Sequence, residues 1–228
     1  MSNSYKRVDA HLSSLGYCTR SEAKRFLRMN EVCVNDTRVF DVRIKAYHDD
    51  IKVNKEALDA ETITILLNKP AGVICSHNDA GSLIYSLIPS RWNNRNPKMS
   101  TIGRLDIDTT GAIILTDDGA LNHKIRSPKK DVTKIYEVKL AQPLKGDEAE
   151  IFASGELMLN GETKPLQPAK LEVINPKLAR LEICEGKYHQ VKRMFASTGN
   201  KVMNLHRLNF AGFEVDDLKE GEYKFLKL

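Results

Sequence analysis

Gly103-Arg104-Leu105-Asp106-Ile107-Asp108-Thr109-Thr110-Gly111 runs directly into the apolar stretch Ala112-Ile113-Ile114-Leu115. Two glycines bracket an arginine, two aspartates and two threonines. Asp106 falls in a loop with apolar positions close on either side. A carboxylate held there can be partly desolvated and still meet a ligand, which is what catalysis asks of it. The commoner role of Asp beside Gly and Thr is an Asx-turn or cap, and the spacing leaves that reading open for Asp106. Asp108 is read as such a turn former. A second polar stretch, Glu185-Gly186-Lys187-Tyr188-His189-Gln190-Val191-Lys192-Arg193-Met194-Phe195, opens a helix. Lys192 and Arg193 are adjacent, so they point about 100° apart and cannot share a task. One can pair with a buried carboxylate while the other meets phosphate; two solvent-facing charges are the ordinary alternative. His189 is read as a cap or packing residue. In Lys134-Ile135-Tyr136-Glu137-Val138, Tyr136 alternates with apolar partners, as a core tyrosine with a satisfied hydroxyl also would.

The elements around these stretches follow from hydrophobic periodicity. Ile63, Ile65 and Leu67 alternate as a strand, and Asn68-Lys69-Pro70-Ala71-Gly72 is a turn signal. Residues 89–98 hold two prolines, three asparagines and three basic side chains, a long loop of the kind that is functional or mobile. Ala112 to Leu115 reads as a buried strand, and Asp117-Asp118-Gly119 as a turn. Ile135–Leu140 is a strand with Tyr136, Val138 and Leu140 on one face. Leu171–Ile174 and Leu181–Ile183 are two more. A helix from about Gln190 to Thr198 places Val191, Met194, Phe195 and Thr198 inward, and Gly199-Asn200 closes it. Strands outnumber helices without strict β-α alternation. That predicts an α+β domain with a mostly antiparallel mixed sheet.

The first 58 residues have a different character. Val8, Leu12 and Leu15 recur at helical spacing up to Gly16. Thr19-Arg20-Ser21-Glu22 is a capping box, and the helix behind it buries Ala23, Phe26 and Leu27. Arg20, Lys24 and Arg28 lie four apart and form one stripe. Val32-Cys33-Val34, an Asn35-Asp36 turn and Arg38-Val39-Phe40 read as a short hairpin. From Lys6 to Arg28 there are six basic residues and two acidic ones, a local balance of +4 in a chain whose formal net charge is +5. Such a concentrated patch is the footprint of a polyanion, although a solvated helix face has the same pattern. Residues 55–61 are polar and unpatterned and are read as a linker.

Arg7-Val8-Asp9, Leu12, Thr19-Arg20-Ser21-Glu22-Ala23 and Val32-Cys33-Val34-Asn35 resemble the S4 RNA-binding domain, a small α/β module whose arginine stripe lies on RNA phosphates. The rest of the chain resembles the pseudouridine synthases, closest to the RsuA type, which joins an S4 domain to this catalytic domain. That resemblance rests on Leu67-Asn68-Lys69-Pro70-Ala71-Gly72, the Gly103–Gly111 stretch, Lys134-x-Tyr136 and Tyr188–Phe195. Gly199-Asn200, Leu205-His206-Arg207 and Gly221-Glu222-Tyr223 also fit. It implies an S4-like domain at 1–58 and a catalytic domain at 62–228. It implies Asp106 as the catalytic aspartate, Tyr136 against the target uracil and Lys192 as the ion-pair partner of Asp106. Arg104 would hold the extruded nucleotide. Arg20, Lys24, Arg28 and Arg193 would contact RNA. The substrate it implies is 16S, small-subunit, ribosomal RNA or an assembly intermediate, with no cofactor and no metal. A 23S RNA substrate and a non-catalytic ribosome assembly factor are the alternatives. Loss of Asp106, Tyr136 or Lys192 would favour the assembly factor, and all three are present.

Composition is consistent with this. The chain is 228 residues, 41% hydrophobic and 29% charged, ordinary for a globular protein. Cys18, Cys33, Cys75 and Cys184 show no metal-ligand spacing and are expected as free thiols. Met1-Ser2-Asn3-Ser4-Tyr5 precedes no long apolar run, so an unprocessed, cytoplasmic protein away from membranes is expected; a monomer is expected as well.

Overall fold

The computed structural model describes residues 4–126 and 131–227, so the first three residues of the opening segment lie outside the described residues. Contacts divide the chain into two compact units. One comprises Met1–Thr64, Ile88–Ser100 and Thr116–Gly119, and the other Ile65–Leu87, Thr101–Leu115 and Ala120–Leu228.

The N-terminal unit runs β1 (Tyr5–Arg7), α1 (Val8–Ser14), α2 (Ala23–Met29), β2 (Val32–Val34), β3 (Thr37–Arg38), β4 (Lys45–Tyr47), β5 (Ile51–Val53) and β6 (Glu56–Ala57). Its core is the expected one: Val8, Leu12 and Leu15 of the first helix pack with Leu27, Val32 and Ile51. Gly16 ends α1 for two reasons. Its φ is +81°, and a Cβ there would lie 2.3 Å from the Arg91 carbonyl oxygen. The capping box forms reciprocally: the Thr19 amide donates to Glu22 Oε2 at 2.9 Å, and the Glu22 amide to Thr19 Oγ1 at 3.3 Å. It caps a tight turn that leads into α2 rather than the first α-turn itself, because α2 begins at Ala23. Asn35 and Asp36 both have positive φ, the backbone that a two-residue hairpin turn needs.

Residues 55–61 are not a linker. Glu56–Ala57 pairs with β5, Leu58 is buried, and Asp59 accepts from Arg91 Nε at 2.9 Å, Arg91 Nη2 at 2.8 Å and Trp92 Nε1 at 3.0 Å. The long loop 89–98 is likewise pinned. Arg95, 1% exposed, donates through Nε to Asp117 at 2.6 Å and through Nη2 to the Ala60 and Glu61 carbonyls. A buried guanidinium needs such partners, and they draw residues 88–100 and 116–119 into the N-terminal unit.

The remaining elements are β7 (Thr64–Lys69), β8 (Ser100–Ile102), β9 (Thr110–Thr116), α3 (Gly119–Arg126), β10 (Lys134–Leu140), α4 (Glu148–Ala153), β11 (Lys170–Asn175), β12 (Leu178–Ile183), α5 (Gln190–Ser197), β13 (Val202–Phe210), β14 (Phe213–Glu214) and β15 (Tyr223–Phe225). They build one sheet in the order β11-β12-β10-β13-β9-β7-β15, with β14 on β13 and β8 on β9. β13 and β9 are parallel, while β11–β12, β12–β10, β10–β13, β13–β14 and β7–β15 are antiparallel. The mixed, mostly antiparallel sheet is therefore as expected. Strand β9 is buried at every position, which its continuous apolar run requires. Helices α3 and α4 carry too little periodic apolar pattern to be read in advance. Only Glu148 and Phe152 of α4 are buried, and α3 buries none of its side chains fully. Among the described residues no helix is long and apolar enough to cross a membrane.

Candidate active site

The Gly103–Gly111 loop connects β8 to β9 and is fixed from three directions. Its own backbone closes a turn, with the Thr109 amide donating to the Asp106 carbonyl at 3.1 Å. From β7, the Lys69 ammonium donates to the carbonyls of Thr109 at 2.9 Å, Pro70 at 3.0 Å and Ile107 at 3.4 Å. An ammonium has three donors, and here all three are used on backbone that carries or adjoins the loop. Lys69 is fully buried, and that burial lowers its pKa below the usual lysine range. From β13, the Thr110 hydroxyl and His206 Nδ1 share a hydrogen bond of 2.7 Å, and Arg207 Nε donates to the Ala112 carbonyl at 2.6 Å. Gly111 is required at this crossing. Its φ is +105°, and a Cβ would lie 2.2 Å from the Arg207 carbonyl oxygen.

Helix α5 presents the other half of the site. Its inner face, Val191, Met194 and Phe195, is buried as expected, with Phe195 edge-on to Phe152 of α4. The helix start is latched by Gln190, whose Oε1 accepts from the Lys187 amide at 2.8 Å and whose Nε2 donates to Glu185 at 3.0 Å. His189, the residue before the helix, has φ 48° and ψ 34°. A left-handed conformation costs a residue with a Cβ roughly 1–2 kcal/mol, and it turns the imidazole toward the loop.

These two supports bring Lys192 and Asp106 together. Lys192 Nζ lies 3.1 Å from Asp106 Oδ2, and His189 Nε2 lies 3.4 Å from Asp106 Oδ1. Lys192 Nζ is closer still to Asp108 Oδ1, at 2.6 Å. Asp108, expected only to form a turn, thus shares the ammonium with Asp106. Burial works to lower the Lys192 pKa, but the hydrogen bonds and charges of Asp108 and Asp106 outweigh it and raise the value. The Lys192 hydrogen bond lowers the Asp108 carboxyl. The stability that Asp108 contributes is present above its unfolded pKa and is lost as pH falls through the lowered folded value. That of Lys192 is present below its unfolded pKa and is lost as pH rises through the raised folded value. The ion pair therefore stays formed across the neutral range.

Asp106 keeps 31% of its side chain exposed, so one carboxylate is both anchored and open to a ligand. A carboxylate so placed can act as nucleophile or base. Tyr136 stands elsewhere in the same sheet. Strand register places it opposite Arg207, which in turn lies opposite Gly111 at the end of the Asp106 loop. Two strand spacings, about 10 Å, separate Tyr136 from that loop end along the sheet. Its hydroxyl accepts from Arg207 Nη1 at 3.4 Å, a partner on β13 rather than in the Asp106–Lys192 pair.

The family model for RNA pseudouridylate synthases matches residues 63–197, which carry the loop, Tyr136 and α5 together. The chain belongs to that family. As a pseudouridine synthase it catalyses an isomerisation on RNA. Similar proteins include the ribosomal small subunit pseudouridine synthase A of Haemophilus influenzae, 39% identical over 223 residues that cover 96% of this chain and 94% of that one. The protein of the same name from Escherichia coli K12 is 40% identical over 225 residues, covering 96% and 95%. A crystal structure of a pseudouridylate synthase superimposes with a TM-score of 0.68 at 38% identity, covering 97% of this chain and 96% of that one.

The expected contacts with RNA divide differently. Arg104 is exposed on the Asp106 loop, and Arg20, Lys24 and Arg28 are exposed and join no ion pair among the described residues. Arg193 has its guanidinium engaged within the protein. Its Nη1 donates to Glu162 at 3.0 Å and to the Tyr188 carbonyl at 3.0 Å, and its Nη2 donates to the Asn160 carbonyl. The carboxylate of Glu162 and two carbonyls compete for the guanidinium, which becomes an internal clamp. Lys69, Asp108 and His189 are the site residues whose placement sequence reasoning missed. A lysine ending an apolar strand before Pro70 was the available signal for Lys69.

Proposed function

We propose that this chain converts one specific uridine of small-subunit (16S) ribosomal RNA to pseudouridine. The observation that carries the chemistry is the Asp106 carboxylate, anchored by Lys192 and still partly open. The substrate is supported by the names of the relatives, small subunit pseudouridine synthases that match nearly the whole chain. The reaction breaks the N1–C1′ bond, turns the base and forms C5–C1′, while the C5 proton leaves and N1 takes up a proton. Atoms balance within the nucleotide and a proton exchange with solvent. The bonds that change are shut inside a stacked helix, so the nucleotide must be extruded to reach Asp106. Arg104, exposed on the same loop, is read as holding it out, and Tyr136 as the ring that lies against the loose uracil. The reaction is read as cytoplasmic and monomeric. Its partner is ribosomal RNA or an assembly intermediate. Mapping pseudouridines in ribosomal RNA from a strain lacking the protein tests this reading. One missing site in 16S RNA is expected, and a missing site in 23S RNA would overturn the substrate assignment.

Residues 1–58 are read as an S4-like RNA-binding module and 62–228 as the catalytic domain. What supports the module is its helix pair and hairpin with an exposed stripe of Arg20, Lys24 and Arg28. If that stripe lies on phosphates, it acts through counterion release. Each lost contact then flattens the log-affinity against log-salt slope by roughly 0.7–0.9. The triple alanine variant is expected to bind most weakly at low salt relative to wild type, with the slope cut by about 2. Its single-turnover rate on saturating RNA is expected to persist. RNA affinity across a salt series is the measurement, and an unchanged slope would mean that the RNA is held elsewhere.

A further inference from the structure

We propose that Tyr188, backed by His189, is a stacking platform for the unpaired base of the nucleotide next to the target uridine. The proposal rests on reading the chain as a ribosomal RNA pseudouridine synthase. Tyr188 is 76% exposed, the most exposed of the large apolar side chains among the described residues. It is not loose. Its ring stacks on the His189 imidazole with centroids 3.8 Å apart and planes 19° from parallel. Its carbonyl is held by Arg193 Nη1 at 3.0 Å, and His189 is set in a left-handed conformation at the helix start. The arrangement holds a flat π surface in water, at the edge of the site, with its orientation already fixed.

The position identifies the occupant. His189 Nε2 is 3.4 Å from Asp106 Oδ1, so the imidazole touches the carboxylate that meets the target. Tyr188 stacks on the face of that imidazole, whose Nε2 edge is the part that meets Asp106, so its own ring is offset from the carboxylate. A base lying on it therefore belongs to a neighbouring nucleotide, not to the target. Extruding the target uridine strips its neighbour of a stacking partner. An aromatic ring so placed replaces the lost contact and does so for any base, since every base has a π face. Exposed Arg104, on the same loop as Asp106, supplies positive charge for the intervening phosphate.

The test uses the full-length protein and a 16S RNA fragment that the wild type modifies, with 2-aminopurine next to the target. Tyr188→Ala is expected to raise the RNA concentration for half-maximal single-turnover rate about tenfold, the ordinary cost of one lost base–aromatic stack. Most of the loss in the second-order rate constant should come from this half-saturation value. Tyr188→Phe and Tyr188→Trp should recover it, because the ring and not the hydroxyl carries the contact. The 2-aminopurine should fluoresce more brightly in the Tyr188→Ala complex than in the wild-type complex. Thermal midpoints should match, since the side chain is exposed. Wild-type half-saturation in Tyr188→Ala, or Tyr188→Phe as weak as Tyr188→Ala, would overturn the platform. A Tyr188→Ala defect confined to the saturated rate would overturn it too. Failure to find any small-subunit RNA fragment that the wild type modifies is a separate result, which overturns the substrate reading and the stated occupant with it.

Discussion

Asp106→Asn is expected to abolish pseudouridine formation while RNA affinity stays near the wild-type value. The substitution is nearly isosteric. The loop backbone is held by the Asp106 carbonyl, by Lys69 and by Gly111, none of which involves the Asp106 carboxylate. What changes is the chemistry. An amide has no anionic oxygen with which to attack carbon or take a proton, and its amino group would face the Lys192 ammonium. Removing a single acid–base function typically costs about 10²–10⁴-fold, and loss of a nucleophile costs at least as much. RNA affinity comes mainly from basic groups, so binding should persist. Tritium release from C5-labelled RNA under single-turnover conditions measures this directly. Residual activity within about tenfold of wild type would exclude Asp106 as the reacting group, since that is barely 1.4 kcal/mol of barrier.

Lys192→Met should lower the single-turnover rate on the order of 10²-fold, or about 2.7 kcal/mol of barrier. Methionine keeps much of the aliphatic length of the side chain, so α5 should pack as before. The loss falls on two carboxylates, because Lys192 Nζ serves Asp106 at 3.1 Å and Asp108 at 2.6 Å. Without the ammonium these like charges face each other, with the buried Lys69 and the neighbouring His189 the basic groups left beside them among the described residues. A like charge disfavours ionisation, so the acid limb of the pH–rate profile should move to higher pH. Part of the lost rate should then return as pH is raised. Lys192→Arg should retain more activity than Lys192→Met, since a guanidinium can still bridge both carboxylates. A pH–rate profile of Lys192→Met superimposable on wild type would remove Lys192 from the charge balance of the site.

The same ion pair shows how far local sequence pattern reaches. Periodicity around Gln190–Ser197 defined the inner face of α5 correctly, and adjacency alone established that Lys192 and Arg193 point in different directions. The glycine-bracketed Asp106 loop, the buried strand β9 and the alternating face of β10 were legible in the same way. Each reflects burial of one face of a single element, which leaves a repeat in the residues themselves. The resemblance to pseudouridine synthases then joined stretches that no local pattern connects.

Pairing of charges was decided only by tertiary structure. Lys192 meets carboxylates 84 and 86 residues away, and nothing in its neighbourhood says that Asp108 takes the shorter bond. Nothing near Arg193 in sequence says that Glu162 and two carbonyls surround its guanidinium. Lys69 reads as a surface lysine and is fully buried beneath the Asp106 loop. The unpatterned residues 55–61 resemble a linker, yet Asp59 and the Ala60 and Glu61 carbonyls hold Arg91, Trp92 and Arg95. In each case the deciding contact joins residues distant in sequence. Hydrophobic burial is encoded by periodicity within an element. The partner of a charged group depends on where another element has been placed, and only the assembled sheet fixes that.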